Sequence, residues 1–249
     1  MKYYGITDKG KLRKTNQDNY VIATNEDGDV FAIICDGIGG NRGGDIASQL
    51  AVSYFSEAFS KTSSFDDEYE TKRWIRTNVE IANKRIFDTS AARPILKGMG
   101  TTLCGVLITK KNYFLVNVGD SRVYAYYKDG SFKQMTVDHT LLNDMLMRGE
   151  ITEEEVKDFP QKNVITNALG VWENVRCDIM TESNDVSGFL LCSDGLHGYV
   201  SERTISTIVK DTESAPSRRV RKLIKTALDA GGYDNITAII IDLEREFDE

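Results

Sequence analysis

The residues of this chain best placed to do chemistry are aspartates that adjoin apolar runs. In FAIICDGIGG, which begins at Phe31, an unbroken apolar run leads into Asp36 and then into glycine. A buried strand rarely ends on a carboxylate unless something answers the charge. FLLCSDGL repeats the plan at Asp194, YFLVNVGDSR puts Asp120 after another apolar run, and GGYDNITAIIID places Asp234 just ahead of one. If these ends converge in the fold, two carboxylates about 4 Å apart repel by about 4 kcal/mol at an effective dielectric near 20. A shared proton or divalent cations would relieve that repulsion. No lysine or arginine lies near enough in sequence to guarantee pairing, so cations are the simpler reading.

The donor inventory narrows the kind of cation. Cys35, Cys104, Cys177 and Cys192 are widely separated and form no C-x-x-C pair, and the chain has two histidines, His139 and His197. Zinc held by thiolate or imidazole is disfavoured. Oxygen ligands point instead to magnesium or manganese. Upstream, TDKGKLRKTNQDNY carries Arg13 and, five residues on, Asp18. Alone it reads as a charged loop. Beside the aspartates it offers a guanidinium fork for phosphate and one more carboxylate.

Other motifs fail on their own chemistry. DGIGGNRGG follows a strand and precedes a helix, but a dinucleotide loop that starts at Gly37 and Gly39 needs glycine where Arg42 stands. NEDGD lacks the downstream glutamate of a calcium loop. Ser193 has no nucleophile elbow around it, and the D-x-D of aspartate-dependent phosphatases never follows an apolar run. His197 reads as a surface or capping residue.

The elements that must position these groups come in blocks. Strands are expected at Tyr3–Ile6, Tyr20–Ala23, Val30–Cys35, Thr101–Ile108, Tyr113–Val118, Arg122–Tyr127, Val175–Met180, Phe189–Cys192 and Thr237–Leu243. Turn pairs such as Asp27-Gly28 and Asp129-Gly130 separate neighbours at hairpin spacing. Amphipathic helices are expected from Asp45, with a stripe of Ile46, Leu50, Tyr54 and Ala58, over Asp67–Ser90, and over Ser217–Ala230. Two consecutive helices between sets of strands favour an α+β arrangement of antiparallel sheets over βαβ alternation. A smaller, polar helical segment between Asp138 and Phe159, with Thr152 and Glu155 in capping-box spacing, fits a surface flap.

The whole chain has 249 residues, 41% of them hydrophobic and 28% charged, with a net charge of −7. That is ordinary globular composition, long enough for a sizeable core. No basic run suggests nucleic acid or an anionic membrane, and no apolar run approaches the roughly 18 residues of a membrane span. The reading is a soluble, cytoplasmic, monomeric protein of one domain, 1–249, with no nucleic-acid partner and no membrane insertion.

Read together and in order, TDKGKLRKTNQDNY, CDGIGGNRGGDIAS, GMGTTL, VGDSRVY, DHTLLNDMLMRGEIT, NVITNALG, LCSDGLHGYV and GGYDNITAIIID resemble the motifs of the metal-dependent serine/threonine phosphatases. This is the type 2C, or PPM, family in its bacterial single-domain form, and the match covers nearly the whole chain. The resemblance implies a four-layer α-β-β-α sandwich of two antiparallel sheets flanked by paired helices, with a small helical flap at about 141–169. It implies that Asp36 bridges two Mn2+ or Mg2+ ions, that the Gly37 carbonyl binds one of them, and that Asp194 and Asp234 complete the pair. Asp18 would hold metal-bound water, Asp120 would share a possible third ion with Asp194, and Arg13 would bind the substrate phosphate. The implied reaction is direct attack of a metal-bridging water on phosphoserine or phosphothreonine in proteins, opposing a bacterial Ser/Thr kinase.

Departures from the family pattern are Ile38 and Asn41, where relatives carry histidine, and Gln17, where glutamate is common. No histidine here maps onto a family acid, so the leaving group would be protonated by metal-bound water. Two rivals are a non-catalytic phosphoprotein-binding relative, which should have lost its metal aspartates, and a stress-response regulator phosphatase with a narrow target.

Overall fold

Apolar runs without polar alternation, such as those of Phe31–Cys35 and Phe189–Cys192, need strands covered on both faces. The computed structural model, which describes residues 1–39, 43–65, 67–152, 154–159, 164–182 and 185–243, supplies that cover. Strands β1 (Lys2–Asp8), β2 (Asp18–Thr24) and β3 (Val30–Ile38) precede helices α1 (Gly44–Ser60) and α2 (Glu68–Ala92). Then come β4 (Gly100–Thr101), β5 (Leu103–Ile108), β6 (Tyr113–Val118), β7 (Arg122–Tyr127), β8 (Phe132–Gln134) and helix α3 (Leu141–Met147). The chain continues through β9 (Asp178–Glu182), β10 (Val186–Cys192), α4 (Asp194–His197), α5 (Glu202–Val209), α6 (Pro216–Asp229) and β11 (Ile236–Asp242).

The strands form two antiparallel sheets, ordered β1-β11-β10-β7-β8 and β2-β3-β5-β6-β9, with β4 pairing the end of β3. Period-two side-chain alternation sends each central strand both ways. Phe31, Ile33 and Cys35 of β3 pack towards α1 and α2, while Val30, Ala32 and Ile34 pack between the sheets. In β10, Leu190 and Cys192 face α5 and α6, while Phe189 and Leu191 join the inter-sheet layer. Three apolar layers therefore separate four layers of secondary structure. Phe31 meets Phe55, Phe59 and Trp74 edge-on, with ring centroids 5.6–6.1 Å apart. Each such pair contributes about 0.5–1.5 kcal/mol beyond its buried area.

The α+β sandwich is the fold expected from the sequence, and β6 and β7 have the expected bounds. Several details differ, beyond shifts of a few residues at the ends of other elements. The buried stripe of α1 is Ala47, Ala51, Phe55 and Phe59, one position on from the expected Ile46, Leu50, Tyr54 and Ala58. Alanines let the helix sit close to the sheet, while Tyr54 turns towards α2 and donates to Asn78 Oδ1 at 2.6 Å. Asp67 is the cap of α2, accepting from the N–H groups of Tyr69 and Glu70. The strand expected at Val175–Met180 starts three residues later, at Asp178. The edge strand β8 and helix α5 were not foreseen. Asn41 and Arg42 lie outside the described residues, as do residue 153 and residues 160–163 of the expected flap.

Candidate active site

Antiparallel register sets two acidic groups side by side. Asp18 opens β2, and its partner across the ladder is Asp36 of β3. The sequence suggests that Asp36 ends its strand. The structure carries β3 two residues further, because Gly37 and Ile38 pair with Thr101 and Gly100 of β4. Thr101 Oγ1 and Thr102 N–H both donate to the Asp36 carbonyl, at 2.9 and 2.8 Å, which fixes this backbone. Asp194 is the first residue of α4, just past β10, and Asp234 lies two residues before β11. Because β10 and β11 are neighbours in the other sheet, both reach the same edge of the sandwich.

A cleft of about 490 Å³ opens there, lined by Arg13, Gln17, Asp36, Gly37, Asp194 and Asp234 among others. Asp18 lies beneath its floor, 2% exposed. Its Oδ2 accepts from Ser193 Oγ and Thr237 Oγ1, both at 2.7 Å. Its Oδ1 is buried with no hydrogen-bond partner among the described residues. Asp120 faces a second cavity of about 390 Å³, which shares Asp194 with the first. Its Oδ1 is likewise buried and unpartnered among the described residues. The expected residues therefore fall into two joined sites, with Asp194 on the wall between them.

Proton affinities record the crowding. Burial first, then Asp194 and Asp138, pushes Asp120 up to about 7. Burial, then Asp18 and Asp194, pushes Asp36 well above the carboxylate range. Asp18 and Asp194 are raised as well, mainly by burial. In Asp194 the neighbouring Asp36 carboxyl opposes the rise. Arg13 donates from Nη2 to Asp234 Oδ2 at 2.6 Å. Burial lowers the Arg13 pKa, but Asp234, with Asp194 and Asp36, raises it overall.

Several supporting residues were not foreseen. Asn235 Oδ1 accepts from Gln17 N–H at 2.8 Å, while its Nδ2 donates to the carbonyls of Lys9 and Thr15. It thereby holds the loop that carries Arg13. Ser193, weighed as a nucleophile from sequence, has its hydroxyl committed to Asp18 and accepts from Thr237 N–H at 2.9 Å. Gly37 has no room for a side chain, since a Cβ there would stand 2.2 Å from the Gly44 carbonyl oxygen. His197 stands half-buried in the last turn of α4, where it lines the second cavity. It donates from Nε2 to the Asp120 carbonyl at 3.0 Å, and burial, then Arg122, holds its pKa down at about 3.

The candidate ligands suit hard divalent cations: they are carboxylates and a backbone carbonyl, and two buried carboxylate oxygens lack hydrogen-bond partners among the described residues. Among the described residues no three acidic, histidine or cysteine side chains group closely enough to enclose one ion. Magnesium-type ions retain several waters and take only one or two carboxylates each, so an open cleft fits them.

Comparisons with known proteins agree with this chemistry. A sequence profile of the family described as Protein phosphatase 2C matches residues 11–229. The chain belongs to this family. Over 237 residues it is 36% identical to the serine/threonine phosphatase stp of Listeria welshimeri serovar 6b, covering 95% of this chain and 93% of that one. The crystal structure of the serine/threonine phosphatase Stp1 from Staphylococcus aureus superposes with a TM-score of 0.89 at 30% identity, covering 98% of this chain and 95% of the other. The catalytic domain of the serine/threonine protein phosphatase PstP, solved with two manganese ions, gives a TM-score of 0.82 at 29% identity, covering 97% of each chain.

Proposed function

We propose that this member of the protein phosphatase 2C family hydrolyses phosphoserine and phosphothreonine in proteins, in a reaction that depends on Mn2+ or Mg2+. The observation that carries the reading is the convergence of Asp36, Asp194, Asp234 and Arg13 on one cleft, with Asp18 buried beneath it and bearing an unpartnered oxygen. Asp36, Gly37, Asp194 and Asp234 would hold two cations, with Asp18 orienting water from below, and Asp120 with Asp194 would hold a third. When bound, such cations lower the pKa of water and offset the charge of the phosphoryl group.

The chain's own groups do the rest. Arg13 commits one nitrogen to Asp234 and keeps further N–H donors for phosphoryl oxygens. Ser193 and Thr237 fix the Asp18 carboxylate so that its free oxygen keeps one orientation. No histidine lines the cleft among the described residues, so the leaving alkoxide takes its proton from water. Residues 1–249 act as one catalytic domain, a cytoplasmic monomer opposing a Ser/Thr kinase, with the flap at 141–169.

The test is hydrolysis of phosphothreonine, phosphoserine and phosphotyrosine peptides, each titrated with manganese and magnesium. Turnover on the first two, absent after exhaustive chelation and restored by either ion, is the expected result. Phosphothreonine hydrolysis that survives chelation overturns the reading.

A further inference from the structure

Both histidines of the chain grip the same dipeptide, Gly119–Asp120. His197 takes the Asp120 carbonyl, while His139 brackets Gly119 from both sides. Gly119 N–H donates to His139 Nδ1 at 3.1 Å, and the Gly119 carbonyl accepts the His139 N–H at 2.9 Å. Asn117 Nδ2 adds a third contact, donating to the same carbonyl at 3.2 Å. Gly119 has φ +106, and a Cβ there would stand 2.6 Å from Thr102, so the turn has no slack of its own.

His139 also stands at the root of the flap segment. It precedes Thr140, which caps α3 and forms a bridge with Ile165 where the chain returns. The His139 carbonyl accepts Thr166 N–H at 2.9 Å. Asn167 Nδ2 donates to His139 Nδ1 at 2.8 Å and to the Arg176 carbonyl at 2.8 Å, which uses both amide hydrogens. A single ring nitrogen therefore accepts from the loop that carries Asp120 and from the returning end of the flap. A nitrogen that accepts twice carries no proton, so the ring proton sits on Nε2 and is donated to Asp178 Oδ2 at 2.9 Å. His139 is fully buried.

A buried, satisfied histidine is ordinarily a packing residue. Here its acceptor atom joins two elements that both bear on the second cavity. One carries Asp120, whose Oδ1 is buried and unpartnered among the described residues, and the other is the returning end of the flap, which reaches the cavity wall through the bridge of Ile165 to Thr140. We propose that His139, through Nδ1, is a positioning residue that aims the Asp120 carboxylate at its cation and ties that site to the root of the flap. The proposal rests on the assignment of Asp120 as a cation ligand.

The two ring nitrogens can be separated by substitution in the full-length protein. In His139→Asn the amide oxygen takes the place of Nδ1, whereas His139→Gln reaches towards Asp178 and leaves Gly119 and Asn167 without their acceptor. Mn2+ binding is measured by calorimetry beside the melting temperature, with Asp120→Asn as the reference that marks the step Asp120 serves. The expected result is a weakening of that step by about tenfold in His139→Gln, the low end for loss of a group that orients a ligand, with near-native affinity in His139→Asn.

A packing role alone would lower the melting temperature of both variants and leave both isotherms native. That result, or an equal weakening in both, overturns the proposal while Asp120→Asn remains impaired. A native isotherm in Asp120→Asn overturns the ligand assignment and the proposal with it. If His139→Gln does not fold, Asn167→Leu withdraws the flap's donor from the same nitrogen. A weakening of about threefold then supports the coupling, and an unchanged isotherm overturns it.

Discussion

The floor of the cleft and the flap helix beside it are built in opposite ways. Asp18 and Asp36 are register partners in a sheet, Asp18 is held by two hydroxyls, and Asp36 is held through its backbone by Thr101 and Thr102. Helix α3 has no fully buried residue, and Met147 at its end is 72% exposed. Groups that must face one another across fixed distances sit on strands covered by apolar layers. The α3 segment at the rim rests on capping and a few hydrogen bonds. The contrast predicts that substitutions of comparable size act very unequally in the two places.

The largest effect belongs to Asp36. Asp36→Asn keeps the shape and the strand while removing the charge that would hold the cations. Turnover on a phosphothreonine peptide should fall by about a thousandfold or more, about 4 kcal/mol of transition-state stabilisation, with the circular dichroism spectrum unchanged. A folded Asp36→Asn protein that retains a tenth of wild-type turnover would show that the cleft works without its central carboxylate.

Second is the response of the floor to pH when cations are withheld by a chelator. Asp18, Asp36, Asp120 and Asp194 are all raised above the unfolded value of about 3.9, first by burial. The folded state therefore keeps protons that the unfolded chain has released. This contribution to stability is fully present below about pH 4 and is lost as pH climbs through the folded values, which for Asp120 means about 7. A tenfold gain in proton affinity on folding corresponds to about 1.4 kcal/mol. Denaturant midpoints in chelator should fall between pH 5 and 7.5, Mn2+ should flatten the curve, and Asp120→Asn should remove part of the slope. A chelated protein whose midpoint rises over that range contradicts the raised values.

Much of this contrast could be read from the chain and some could not. Asp36, Asp120, Asp194 and Asp234 stand out because each adjoins an apolar run, a local pattern. The roles of Ser193 and Thr237 could not be read, because each is a hydroxyl bond to a carboxylate 175 or 219 residues away in sequence. The core face of α1 was missed by one position because alanines carry little hydrophobic signal, yet they are what lets the helix approach the sheet. Strand β8 has three residues, only one of them apolar, too few for a period to show. The bond from His197 to the Asp120 carbonyl was not foreseen, because it joins residues 77 apart and leaves no local pattern.

Third comes the support beneath the floor. Ser193→Ala removes one of two hydroxyls from Asp18 Oδ2 and leaves Thr237 in place. Loss of a group that orients a ligand costs about tenfold in activity at the low end, roughly 1.4 kcal/mol. A nucleophile would behave otherwise, with turnover lost outright. Steady-state rates of Ser193→Ala at saturating Mn2+ decide between the two, and residual activity near a tenth is the expected result.

The smallest effect lies on the flap. Met147→Ala deletes an exposed side chain from a helix that buries none of its residues, so stability should change by no more than about 0.5 kcal/mol. The turnover number on a small aryl phosphate should also be native, because Met147 lines neither the cleft nor the second cavity. KM for a phosphoprotein can move independently, since an exposed, flexible thioether suits an adaptable contact. Melting curves and the two substrates measured side by side test the contrast at its weak end. A loss of several degrees in melting temperature would mean that α3 is packed as firmly as the floor, and the division between rigid chemistry and yielding surface would have to be redrawn.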